Sequence, residues 1–128
     1  MGTRSLTVFL DDNHEEIAVM YRQFDGYLSG HGKDLADFLK GKTLVNGIGS
    51  SRKVFNGMNC LAASVIAHFK KEPGYFYLYP AGTRDMDEEY VYVITGATGT
   101  EPHMQVQDFS GPASDYQVWL NGKDANDD

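Results

Sequence analysis

The chain has a single cysteine, Cys60, so it cannot close an intramolecular disulfide, and a reducing compartment is the simplest setting for it. It has no apolar run near the roughly 20 residues needed to cross a bilayer. Met1 to Ser5 lacks the apolar core and small-residue cleavage site of a secretory signal, and a cytoplasmic location is expected. Positive charge is scarce. Eleven basic against eighteen acidic residues give a net charge of −7, which repels anionic membranes and disfavours nucleic acid as a partner. Glycine-rich phosphate signatures are missing too: Asn46-Gly47-Ile48-Gly49-Ser50-Ser51-Arg52-Lys53 has neither the Walker lysine pattern nor the Rossmann glycine spacing, so no cofactor is expected. The acidic loop Gly82 to Glu89 holds four carboxylates without the ligand order of a calcium loop, and reads as a solvated turn rather than a metal site.

What is present is enough for one folded domain. With 128 residues and an apolar fraction of 41%, the chain can bury a core without staples, and residues 1–123 are expected to form it, ahead of a mobile acidic tail from Asp124 to Asp128. Leu6 to Leu10 and Ile17 to Phe24 are rich in β-branched and aromatic residues around the polar turn Asp11 to Glu15, which predicts an opening hairpin. Leu35, Phe38 and Leu39 recur at helical spacing ahead of Gly41. Leu61, Ala62, Val65, Ile66 and Phe69 form a longer helical stripe, complemented at its C-terminus by Lys70 and Lys71.

Beyond Pro73-Gly74 the period changes from 3.6 to 2. Tyr75 to Tyr79 and Tyr90 to Ile94 are expected to pair as a hairpin, and His103 to Phe109 to supply a fifth strand. Ser114-Asp115-Tyr116-Gln117 resembles a capping box opening a short helix through Leu120, closed by Gly122, with a strand over Tyr116 to Leu120 as the alternative. The expected fold class is α+β, in the order ββααβββ. An antiparallel sheet of about five strands carries two helices on one face, with a short C-terminal helix as a further element.

Two groups of residues could carry function. The stretch from Tyr21 to Lys33 gathers aromatic, cationic and acidic residues around three glycines at a strand-to-helix junction. There Arg22 could grip a carboxylate or phosphate, Tyr27 could stack on a ring, and Tyr21, Asp25, His31 and the more distant Arg84 complete the candidate ligand set. The plainer reading pairs Arg22 with Asp25, lets Gly26 bend the chain, and leaves His31 solvated. Tyr75, Tyr77 and Tyr79 on one strand and Tyr90 with Tyr92 on another would add a binding surface if they shared a face; half-buried sheets also favour tyrosine for packing alone.

The second group is Cys60 near a helix start, with His103 and Asp108 in the chain order of a papain-like nucleophile, base and orienter. A free cysteine more commonly packs as a small hydrophobe.

Tyr21 to Gly32, Asn56-Gly57-Met58 and Tyr77 to Asp85 resemble segments of a family of small uncharacterised proteins of bacterial and phage genomes, over most of residues 6–120. Leu28 stands where that family's pattern has proline, which implies a looser turn. The resemblance implies one shared domain plan and carries over no activity and no site residue. The leading expectation is a noncatalytic module binding a small molecule or a protein through the Tyr21 to Lys33 junction. A Cys60 thiol hydrolase and a self-assembling homo-oligomer are the alternatives.

Overall fold

A computed structural model describes residues 2–47 and 54–127. Strands β1 (Ser5–Leu10) and β2 (Glu16–Arg22) form the expected hairpin, with Ser5 opposite Arg22 and Val8 opposite Val19. The Asp11 carboxylate accepts the backbone N–H groups of Asn13 and Glu15, so one side chain closes the turn. A π-helical turn over Leu28–Gly32 leads into α1 (Lys33–Leu39). Gly32 has no room for a side chain, because a Cβ there would lie 2.0 Å from the Tyr116 hydroxyl oxygen.

Short strands β3 (Thr43–Val45) and β4 (Val54–Asn56) pair in parallel, and α2 (Gly57–Phe69) follows directly, starting earlier than its apolar stripe suggests. Of the glycine-rich loop expected over residues 46–53, all but Asn46 and Gly47 lies outside the described residues. Strands β5 (Phe76–Tyr79), β6 (Tyr90–Thr95), β7 (His103–Val106) and β8 (Phe109–Pro112) complete the main sheet. The terminal helix α3 spans Tyr116–Asp127, so it runs through Gly122 instead of stopping there. The acidic end expected as a tail falls in the last turn of α3, with Asp128 outside the described residues.

The fold is α+β, but the sheet is mixed and six-stranded, in the order β5-β2-β1-β6-β7-β8. This corrects the expected five-stranded antiparallel arrangement in three ways. The central pair, β1 with β6, is parallel. β5 and β6 do not form a hairpin, because β5 pairs with β2 at one edge while β6 lies beyond β1. The physical reason is the connection between them: residues 80–89 do not turn back but cross the sheet, with Met86 packed on its far face and the Glu89 N–H bonded to the Arg4 carbonyl. The crossing delivers Tyr90 beside Ser5, running the same way. Lastly, the expected fifth strand is split by a turn at Gln107, φ 53, into the hairpin β7–β8.

Alternation along β1 divides the interior. Phe9 joins Met20, Tyr92 and Ile94 in the main core, which α1, α2 and α3 cover with Leu35, Leu39, Leu61, Val65, Tyr116 and Leu120. Leu6 and Val8 face the other way and join Val19 and Tyr21 in a smaller cluster. The tyrosine rows therefore part. Tyr92 is buried on the helix side, whereas Tyr77 and Tyr79 pack their rings against Tyr21 on the far side.

Candidate functional site

Arg22 ends β2 on the helix side of the sheet, between Ser5 and Phe76 in register. It is 7% exposed, and a buried guanidinium is tolerated only when its donors are matched. Here four of its five N–H donors are. Nε donates to the Phe24 carbonyl at 2.7 Å, Nη1 to His31 Nδ1 at 3.1 Å and to Asp34 Oδ2 at 3.3 Å, and Nη2 to the Tyr75 hydroxyl at 3.3 Å. Asp25 lies 4.0 Å from Nη2, and the rings of Tyr75 and Phe76 hold the cation at 5.3 and 5.1 Å.

His31 is not solvated but fully buried, enclosed by Phe69, Phe76 and Tyr92. Arginine can only donate, so Nδ1 accepts from Arg22 and Nε2 carries the proton, donating to Thr7 Oγ1 at 2.7 Å. Burial, reinforced by the Arg22 charge, pulls the imidazole down to a pKa of about 3. At neutral pH it is an uncharged structural link, with no access for a substrate proton.

A clamp closes the junction from outside. Tyr75 and Asp25 both adopt left-handed backbone, φ 72 and φ 62, and the Tyr75 hydroxyl donates to Asp25 Oδ2 at 2.6 Å. Left-handed backbone is costly for a bulky residue such as Tyr75, so the surrounding contacts must hold it there. The bond to Asp25, together with burial, raises the tyrosine pKa above its ordinary value.

Of the residues named from sequence, the structure brings together Arg22, Asp25 and His31. Tyr27 lies on the neighbouring turn, where its carbonyl accepts the Gly30 N–H and its ring is 41% exposed. Tyr21 faces the opposite side of the sheet and accepts a hydrogen bond from Arg4 Nε. Arg84 is at the other end of β2, about 20 Å along the strand from Arg22 by the strand rise, and grips both oxygens of Glu16 at 2.7 and 3.3 Å. That contact holds the Glu16 carboxyl below its usual value. Thr7, Asp34 and Phe76 complete the network without having been singled out, together with Tyr75, which was named only in the tyrosine row. Thr7 carried a signal: it lies between inward-facing Ser5 and Phe9 in the β1 alternation, where a polar residue needs a partner.

The thiol group of candidates does not assemble in the same way. Cys60 is exposed in the first turn of α2, and its carbonyl accepts from Ser64 Oγ. His103 opens β7 and lines, with His14, Thr95 and Thr100, a cleft of about 220 Å³. Asp108 lies in the turn beyond the other end of β7, too far along the strand to orient that imidazole. Among the described residues no hydrogen bond joins the three. Among the described residues, too, no cluster of three or more His, Cys, Asp or Glu side chains offers a metal site, and no helix is long and apolar enough to cross a membrane.

An open surface away from the junction is the outer edge of β5. Leu78 is 60% and Tyr77 43% exposed, beside an apolar cleft of about 140 Å³ lined by Met20, Ile66, Lys70, Phe76, Tyr77 and Leu78. Comparison with known proteins adds no guide. No family model, curated protein or solved structure matches the chain. Function has to be argued from the geometry of the junction and the edge.

Proposed function

We propose that this chain is a noncatalytic protein-binding module whose contact surface is the β5 edge, engaging a partner's main chain at Leu78 and a partner's apolar side chain at the adjoining cleft. The reading is supported first by how little the buried junction can bind. Arg22 has four of its five N–H donors matched and His31 is sealed, which leaves little capacity to grip a small anion. The observation that carries the reading is the combination at Leu78 of an exposed apolar side chain, an open strand edge and an apolar cleft. The junction serves this edge indirectly, because Tyr75 and Phe76 pack on Arg22 and so fix the start of β5.

The reading is tested by titrating a capped heptapeptide of alternating threonine and valine into the ¹⁵N-labelled chain. Chemical-shift changes at Phe76 to Tyr79, Met20 and Ile66, with slowed exchange of the Leu78 amide, are expected. Changes confined to Tyr27 or Arg84, or no changes at all, would overturn it.

A further inference from the structure

Lys70 is held in place, yet its charge is unanswered. It follows the last turn of α2, and its Nζ donates to the Gly74 carbonyl at 2.9 Å and to the Phe76 carbonyl at 2.8 Å, with the ammonium 5.5 Å from the centre of the Tyr77 ring. An ammonium has three N–H donors, and among the described residues no third acceptor meets this one. Among the same residues it has no carboxylate partner, whereas Lys33 and Lys40 share Asp37, Arg22 meets Asp34, and Arg84 grips Glu16. An ordinary surface lysine loses side-chain freedom when it captures an anion. Here two carbonyls have already fixed the stem, so the exposed third donor is preorganised for one.

This cation stands on the rim of the apolar cleft beside β5. Met20, Phe76 and Leu78 line the cleft from the sheet and Ile66 from α2, one turn ahead of Lys70, around a volume of about 140 Å³. An apolar cavity of about 150 Å³ takes a benzene ring, so one leucine or phenylalanine side chain is the matching load. Cleft and cation together select an apolar group that carries an anion a few bonds away.

The flanks of Leu78 decide how such a group arrives. On one side the Phe76 carbonyl is covered by Lys70, and on the other the Pro80 carbonyl accepts from both the backbone N–H and the hydroxyl of Thr83. A chain running past the cleft has to clear both. A chain that ends at the cleft does not, and in a C-terminal residue the carboxylate and the side chain leave the same Cα, so a single residue satisfies cation and cleft. We infer that the cleft takes the C-terminal residue of a partner protein, an apolar one, with its side chain against Ile66 and Leu78 and its carboxylate on Lys70. Resting on the binding-edge reading above, the inference names the part of the partner that is engaged.

An acetylated pentapeptide of serine and glycine ending in leucine, made both as the free acid and as the C-terminal amide, tests this by titration into the ¹⁵N-labelled chain. The acid should shift Ile66, Lys70, Phe76 and Leu78 with a Kd about tenfold below that of the amide at low salt, and the gap should narrow in high salt. Both peptides meet the unaltered chain, so misfolding cannot produce the difference. Lys70→Met keeps an apolar stem and removes the cation; it should bring the acid to the affinity of the amide, while the amide binds as it does to the parent chain. Equal binding of acid and amide to the parent overturns the inference. So does a preference for the acid that survives Lys70→Met, and so does an amidated peptide with glutamate before its leucine that binds as tightly as the free acid. If the capped heptapeptide docks and the free acid does not, this inference falls and the binding-edge reading stands. If neither docks, both fall.

Discussion

Two arginines meet carboxylates at opposite ends of β2, and their surroundings give them different weight. Arg84 pairs with Glu16 in solvent, where water and salt screen the attraction and two long side chains lose freedom to hold it. Arg22 is withdrawn from water beneath Tyr75 and Phe76, and each of its contacts substitutes for a lost hydration bond. As sequence features the two look equally suited to grip an anion. In the fold one is a surface tie and the other is part of the core.

The sharpest way to break this comparison is to remove each partner in turn. Arg22→Ala should lower unfolding free energy by about 3–4 kcal/mol in urea titrations, since it strands the Phe24 carbonyl and His31 Nδ1 and opens space under two rings. A loss below about 1 kcal/mol would show that burial does not make this arginine structural.

His31 should show the same dependence as a response to pH. Its folded pKa is depressed to about 3 from 6.5, so the unfolded chain takes up the proton first as pH falls. Its contribution to stability is complete above about pH 6.5 and declines on acidification by about 1.4 kcal/mol per pH unit through that window. His31→Gln should flatten the stability profile by that slope between about pH 4 and about pH 6, relative to the parent chain. Equal slopes would mean that the folded imidazole is protonated.

Smaller effects sharpen the contrast. Tyr75→Phe keeps the ring over Arg22 and deletes the bonds to Asp25 and Arg22, with an expected cost of about 1 kcal/mol. Arg84→Ala should cost less than about 1 kcal/mol, and the loss should shrink further in high salt. A salt-independent loss as large as that of Arg22→Ala would erase the distinction between the two ends.

The parts of the fold that were legible in the sequence are those decided by neighbours in the chain. The β1–β2 hairpin was legible as two runs rich in β-branched and aromatic residues around a polar turn, and α2 as an apolar stripe. The position of β6 was not legible, because nothing local tells Tyr90 to pair with Ser5 instead of returning to β5; that choice is made by residues 80–89 crossing over Leu6 and Val8. The junction was half legible. Arg22, Asp25 and His31 are close in sequence and converge, but the groups that bury and bond them, Thr7, Asp34, Tyr75 and Phe76, come from three other segments. Polarity suggested a site, and only packing could show that Arg22 and His31 are buried there.

The parallel pairing of β1 with β6 also sets an order of events. During synthesis the first hairpin can form as soon as Arg22 is available, yet β1 must wait for Tyr90 to Ile94 before its second edge is covered. Closing that long loop carries an entropic cost that local contacts do not repay until the two strands meet. The strand at the middle of the finished sheet therefore passes through an early period as an outer edge, with Leu6 and Val8 uncovered, and the nascent chain is most exposed to wrong pairing before its sixth strand arrives.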